Sequence, residues 1–303
     1  MHLLYRAALL LIATGGTLSA PACDVCGGGT GIQGPGLFAQ FSGHFAGLQL
    51  LHSATSARHP SLFAGKPDEV SSQHYTTVQA WGRYQLSKRI QLAGILPYSS
   101  NQNRDPLLRT QSGLGDAVLL AYVSLPLDGK QGTANKLLLI GGGVKLPTGQ
   151  YNSSGTETIP ALQTGTGSWD FTGNISYTRR YTRWGYNGDL AYLLTTANRE
   201  LYKYGNRMNA SGLVFYQFTP GSFRILPQAG LRAEYTLHDY DNYGKKWLNE
   251  QSGGTAAFAS AGLQAYFKKL GLRAMLHLPF YQHLSAGYVH STARTEAGIF
   301  ILF

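Results

Sequence analysis

Residues 169–178 read Trp169-Asp170-Phe171-Thr172-Gly173-Asn174-Ile175-Ser176-Tyr177-Thr178, and this stretch decides the fold class. Its odd positions are apolar or aromatic apart from one glycine, and every even position is polar. A period of two puts the two sets on opposite faces of a β-strand. The same alternation returns where Ala229, Leu231, Ala233, Tyr235 and Leu237 oppose Gln228, Arg232, Glu234, Thr236 and His238. It returns again where Leu272, Ala274, Leu276, Leu278 and Phe280 oppose Arg273, Met275 and His277. A soluble β-sandwich would show the same period, so alternation fixes the strands and their faces but not their surroundings.

The connections narrow the surroundings. The pattern predicts about twelve strands, near 45–55, 74–87, 90–103, 112–127, 135–148, 166–181, 184–197, 208–219, 224–239, 254–268, 270–283 and 291–303. Linkers after the odd-numbered strands are long and polar, as in 56–73, 104–111, 149–165, 198–207 and 240–253. Those after most even-numbered strands are tight, as at Lys88-Arg89, Thr182-Arg183 and Lys269. Links 128–134 and 284–290 are intermediate. Long loops outside and short periplasmic turns are the pattern of outer-membrane barrels. The loop 149–165 is therefore expected to be exposed at the cell surface. Tyr84, Tyr98, Trp184, Tyr186 and Tyr192 fall near strand ends, where aromatic girdles would sit.

The two ends of the chain agree. Residues 1–22 run from a positive start through an apolar core to Ala20-Pro21-Ala22, the order of a secretory signal peptide. That core is far shorter than the ~20 apolar residues of a spanning helix. Residues 23–44 are expected to form a periplasmic segment or plug, and 45–303 the barrel. At the other end Ala297, Ile299, Ile301 and Phe303 share one face and Arg294 and Glu296 the other. A terminal aromatic on an apolar-faced strand resembles the assembly signal read by the barrel-assembly machinery, so Phe303 is expected to serve as one. The fold class is thus all-β: a transmembrane antiparallel up-and-down barrel in the outer membrane of a Gram-negative bacterium.

Net charge is +10, but the cations are scattered and the chain is exported, which excludes nucleic acid as a partner and favours contact with membrane lipid and lipopolysaccharide. Arg83, Lys145, Arg232 and Arg273 belong to the inward sets, as do Asp116, Asp170, Asp189, Glu234 and Glu296. These form the candidate solute path. Charges facing a membrane interior are costly unless paired or wet, so a network of ion pairs bracing the wall is expected. Cys23 and Cys26 are the only cysteines. A Cys-x-x-Cys disulfide, metal capture together with Asp24, or lipidation of Cys23 all remain open, and no cofactor is expected otherwise. No Gly-x-Ser-x-Gly elbow appears and no Ser–His pair stands out, so an enzyme is not expected. His277 is read as a satisfied lumen residue.

Gly113-Leu114-Gly115-Asp116 opens the fourth strand, and Gly143-Val144-Lys145-Leu146-Pro147-Thr148-Gly149 closes the fifth. Read locally, both are strand punctuation, and neither has the Lys-Ser/Thr or helix of a nucleotide loop. Paired on an exported barrel, they resemble the MetA-pathway of phenol degradation family. The Cys23–Gly31 segment resembles its Bacteroidetes-type members. The resemblance implies an outer-membrane transporter of a small, hydrophobic or aromatic solute. The alternative is a non-conducting barrel that binds a surface ligand or partner, and after it an outer-membrane lipid hydrolase.

Overall fold

The computed structural model describes residues 43–59, 68–104, 108–129, 135–151, 160–242 and 244–303. The signal segment and both cysteines lie outside these residues. The strands are β1 (Phe45–His59), β2 (Glu69–Gln85), β3 (Ile90–Arg104), β4 (Leu108–Leu114), β5 (Val118–Pro126), β6 (Lys136–Lys145), β7 (Asp170–Arg180) and β8 (Trp184–Leu194). They continue with β9 (Tyr202–Lys203), β10 (Arg207–Tyr216), β11 (Phe223–Thr236), β12 (Tyr240–Asp241), β13 (Lys246–Trp247), β14 (Gly254–Phe267), β15 (Leu270–Leu284), β16 (Val289–Ser291) and β17 (Arg294–Leu302). β4 and β5 are two halves of one wall strand, both paired to β3. Each wall strand pairs antiparallel with its neighbour, and β1 pairs with both β2 and β17, which closes a ring of twelve. β9, β12 and β13 form a small separate sheet in the long loops.

Burial is inverted relative to a soluble protein, and this decides between barrel and sandwich. Leu48, Leu119, Ile140, Phe171, Leu190, Val214 and Leu231 lie exposed on the outer wall. Gln49, Gln79, Gln91, Asn101, Asn174, Asn187 and Gln264 are buried inside. Only a hydrocarbon surrounding makes that arrangement favourable. No helix among the described residues is long and apolar enough to cross a membrane; the strands do the crossing. Aromatic pairs girdle the short-turn end, with Tyr181 stacked on Trp184 at 4.1 Å and Phe223 on Phe267 at 4.7 Å. At the other end Tyr98, Trp169, Tyr192 and Tyr235 are also exposed. On β11 the outward Phe223 and Tyr235 are twelve residues apart. At ~3.3 Å per residue and a tilt near 40°, that spans about 30 Å, the thickness of a bilayer core.

Two features depart from the sequence reading. The fourth wall strand is interrupted: odd residues such as Gln111 and Gly113 face inward on β4, even ones such as Leu120 and Tyr122 on β5, and Gly115–Ala117 make the switch. The long loop after β6 does not stand wholly at the surface. Its returning arm, 160–168, folds into the barrel mouth, where Ala161, Leu162, Gln163 and Thr164 are buried. Asn101 of β3 holds it by donating its Nδ2 to the carbonyls of Leu162 and Gln163 at 3.0 and 3.3 Å. Two apolar side chains and a backbone anchored by a lumen amide place that arm inside; the outgoing residues 152–159 lie outside the described set.

The ring closes beside Phe303, whose N–H and carbonyl bond to His44 at 3.0 and 3.3 Å while its side chain is 63% exposed to lipid. A carboxylate there would sit at the membrane boundary on the strand that closes the barrel. Phe303→Asp should lower the folded, outer-membrane fraction several-fold in quantitative blots of heat-modifiable protein, while Phe303→Tyr should leave it unchanged.

Candidate functional site

The lumen is built from three zones, and the expected site residues divide among them. At the loop end, Lys145 closes β6 and Asp170 opens β7, directly opposite it in register. Asp116 reaches the same point because the break between β4 and β5 turns it inward. Lys145 Nζ lies 2.5 Å from Asp170 Oδ2 and 3.3 Å from Asp116 Oδ2. Asp116 also accepts from the N–H of Gly149 at 3.0 Å and from the N–H and hydroxyl of Thr166 at 2.9 and 2.7 Å. Asp170 accepts from Ser168 Oγ and the N–H of Thr196, both at 3.0 Å. A Cβ on Gly149 would come within 2.6 Å of Gly165 Cα and 2.8 Å of the Gly115 carbonyl carbon. Glycine at these points lets three backbones meet around one carboxylate. The two short motifs are therefore one device, which fastens the inward loop arm to the wall. A cavity of about 50 Å³ adjoins it, lined by Asp116, Lys145, Leu193, Thr195, Tyr204 and Arg207 together with the loop arm.

Mid-lumen, Glu296 of β17 is held from both neighbouring strands, β15 and β1. Arg273 NH2 is 3.3 Å from its Oε2, His277 Nε2 is 3.0 Å from its Oε1, and Gln49 Nε2 donates at 3.2 Å. Glu234 is gripped by Arg232 Nε at 2.7 Å and by Arg294 NH1 at 2.9 Å. Arg294 was placed on the inward face by the alternation without being counted a site residue. Asp189, Arg232, Arg273 and His277 line a second cavity of about 50 Å³. Ser260 lines it too, with Oγ 2.7 Å from His277 Nδ1, a Ser–His contact that the sequence alone did not single out. The two residues lie on neighbouring strands in register, so only the pairing of β14 with β15 brings them together.

The third zone is apolar. Phe45, Phe215, Leu226, Tyr266 and Phe300 pack together inside the short-turn end, with Trp81 and Leu302 against them. Phe300 has room because inward Gly47 and Gly271 flank it: a Cβ at Gly271 would overlap its ring, and one at Gly47 would come within 2.5 Å of its Cβ. Arg83 lies against this cluster, its guanidinium 5.2 Å from the Phe45 ring centroid and donating to the Gly43 carbonyl at 3.2 Å. From this cluster an apolar stripe crosses the wall. Trp81 is opposite Ile95, and Ile95 is opposite Val118, which packs with Leu120, Tyr122 and Leu139. Inward Gly141 accommodates Tyr122 in the same way. Among the described residues no cluster of three or more His, Cys, Asp or Glu could hold a metal.

A closed twelve-strand ring with an apolar outside and a polar inside is an outer-membrane β-barrel. The family model described as "Putative MetA-pathway of phenol degradation" matches residues 69–280, and the chain belongs to that family. The fold is similar to the COG4313 outer membrane channel from Pseudomonas putida F1, at TM-score 0.65 and 16% identity, over 87% of this chain and 96% of that one. It is also similar to the β domain of the Bordetella autotransporter BrkA, at TM-score 0.50 and 12% identity, over 86% and 100% of the two chains. No curated protein matches the chain.

Removing one partner of a buried pair leaves the other uncompensated, at a cost of about 3–5 kcal/mol. Lys145→Met should therefore lower the temperature at which the folded band is lost in electrophoresis, because Asp116 and Asp170 would face each other without a cation. Lys88→Met, on an exposed turn, should not. Glu234→Gln and Arg273→Met should each lower that temperature and leave the reversal potential of any conductance nearly unchanged, if the charges brace the wall.

Proposed function

We propose that this barrel is a passive channel for small hydrophobic or aromatic compounds. The apolar stripe inside the lumen carries this reading. Trp81, Ile95, Val118, Leu120, Tyr122 and Leu139 give an apolar solute a surface to follow from the loop-end cavity toward the aromatic cluster. Apolar side chains in a lumen stabilise contact with apolar solutes and repel water. The charged residues frame the stripe: Asp116, Lys145 and Asp170 anchor the loop, while Arg232, Glu234, Arg273 and Glu296 brace the opposite wall. Asp189 lines the cavity on that wall, and Arg83 stands on the aromatic cluster. In this reading residues 1–22 are the export signal, 23–44 a periplasmic segment or plug, and Phe303 the residue that presents the closing strand to the assembly machinery. Lipopolysaccharide surrounds the loop end.

Uptake distinguishes this from a barrel that only binds a surface ligand. In cells deleted for the protein, the wild-type gene should raise the initial uptake of a labelled monoaromatic hydrocarbon several-fold. Leu120→Arg with Leu139→Asp should abolish that gain while the barrel stays heat-modifiable. A folded wild-type barrel that gives no gain would leave the surface-binding reading in place. The Ser260–His277–Glu296 contacts favour a hydrolase as a second reading. A fluorophosphonate probe decides this one: the channel reading expects no labelling of Ser260, and labelling lost in Ser260→Ala would assign an activated serine.

A further inference from the structure

The net positive charge is not spread over the molecule. At the short-turn end stand Lys88, Arg89, Lys136, Arg179, Arg183 and Lys268, and the described carboxylate at that end is Asp128. Asp68, Glu69, Glu200, Asp239, Asp241 and Glu250 all lie at the long-loop end. The cations sit just beyond the aromatic girdle: Arg179 lies 4.8 Å from the Tyr181 ring centroid and Lys268 5.4 Å from that of Phe267. Lys136 and Arg179 are direct cross-strand partners on the outer face of β6 and β7. Like charges directly opposite are destabilising, and an anion seated between them would relieve the repulsion. Asp128 meets that need in part only, since its Oδ1 accepts from the Lys136 backbone N–H at 2.6 Å and not from either side chain's charge.

From this geometry we infer that Lys136 and Arg179, framed by Tyr177, Tyr181 and Tyr186, form a binding site for the phosphate of an anionic phospholipid. Tyr177 and Tyr186 lie with ring centroids 6.0 Å apart on the same outer face, and supply phenol groups at the depth where a glycerol backbone and headgroup meet. The guanidinium and ammonium provide several donors within reach of one phosphate. The long-loop face, with its carboxylates among the cations, lacks this one-signed field. The occupant is a phospholipid such as phosphatidylglycerol, because the short-turn end faces the phospholipid leaflet in the orientation that the loops set.

Trp184 lies on the lipid face beside this site, whereas exposed Trp169 and Trp247 lie at the other end. In protein carrying Trp169→Phe and Trp247→Phe, reconstituted into phosphatidylcholine vesicles, quenching by brominated phosphatidylglycerol should exceed that by brominated phosphatidylcholine. The preference should be about fivefold, the scale of one or two cations near a membrane surface. Lys136→Gln with Arg179→Gln should bring the preference near one, and Arg58→Gln with Arg104→Gln at the opposite end should leave it intact. In neutral detergent the Lys136→Gln, Arg179→Gln barrel should melt no lower than wild type, which separates loss of a ligand from loss of fold. Equal quenching by the two lipids in wild type, or a preference that survives the double change, overturns the site. Displacement of phosphatidylglycerol by purified lipopolysaccharide, abolished by the same variant, overturns the choice of occupant.

Discussion

Every backbone N–H and carbonyl that enters hydrocarbon has to find its partner inside the protein, because lipid supplies none. The ring of twelve strands answers that demand, and it does so only when β17 is seated on β1. The side chains follow from it. With the backbone fully committed to the wall, the interior can be filled only by side chains, and a wall this tightly curved leaves little space. The chain resolves the crowding by laying large rings over inward glycines of neighbouring strands, Phe300 over Gly271 and Tyr122 over Gly141. A high glycine count in a folded barrel is thus a packing device, not a sign of looseness.

Charge is organised by the same geometry. Ionisable groups in the lumen are expensive unless compensated, and Asp116, Asp170, Glu234 and Glu296 are each gripped by at least one cation. The compensation is local and splits into separate clusters. One fixes the returning loop at the mouth, and the other ties strands across the barrel's middle. The apolar stripe of Trp81, Ile95, Val118, Leu120 and Leu139 takes no part in either cluster.

How much of this was legible in the chain depends on the range of the interaction concerned. Strand number, strand faces and the alternation of loop lengths are local patterns, and they read directly because a period of two needs no knowledge of neighbours. Residues 170–178 face as their alternation says, and Arg294 and Glu296 point inward on the last strand as expected. What failed to read were effects that depend on register between strands far apart in sequence. The meeting of Gly115, Gly149 and Gly165 around Asp116 needs three backbones brought together, so two motifs that look like punctuation singly became one anchor only in the structure. The inward fold of 160–168 was hidden for the same reason: a polar loop looks exposed until the lumen amide that holds it, Asn101, is placed beside it. Ser260 and His277 were invisible as a pair because seventeen residues and a tight turn separate them.

Glu296 shows what closure means for the order of events. It bonds backward to β15 through Arg273 and His277, and across the seam to Gln49 on β1, a partner 247 residues away. Two of these three partners lie with it in the C-terminal hairpin, and the third is in place only when the two ends of the chain meet. Contacts of such sequence separation form late and slowly, since a long loop must close before they return any stabilisation. An unfinished barrel therefore carries a carboxylate incompletely compensated beside two unpaired strand edges, and both defects vanish in one step. The seam acts as a ratchet: it is costly to approach, and once shut it is held by the same charge cluster that had been waiting for its final donor.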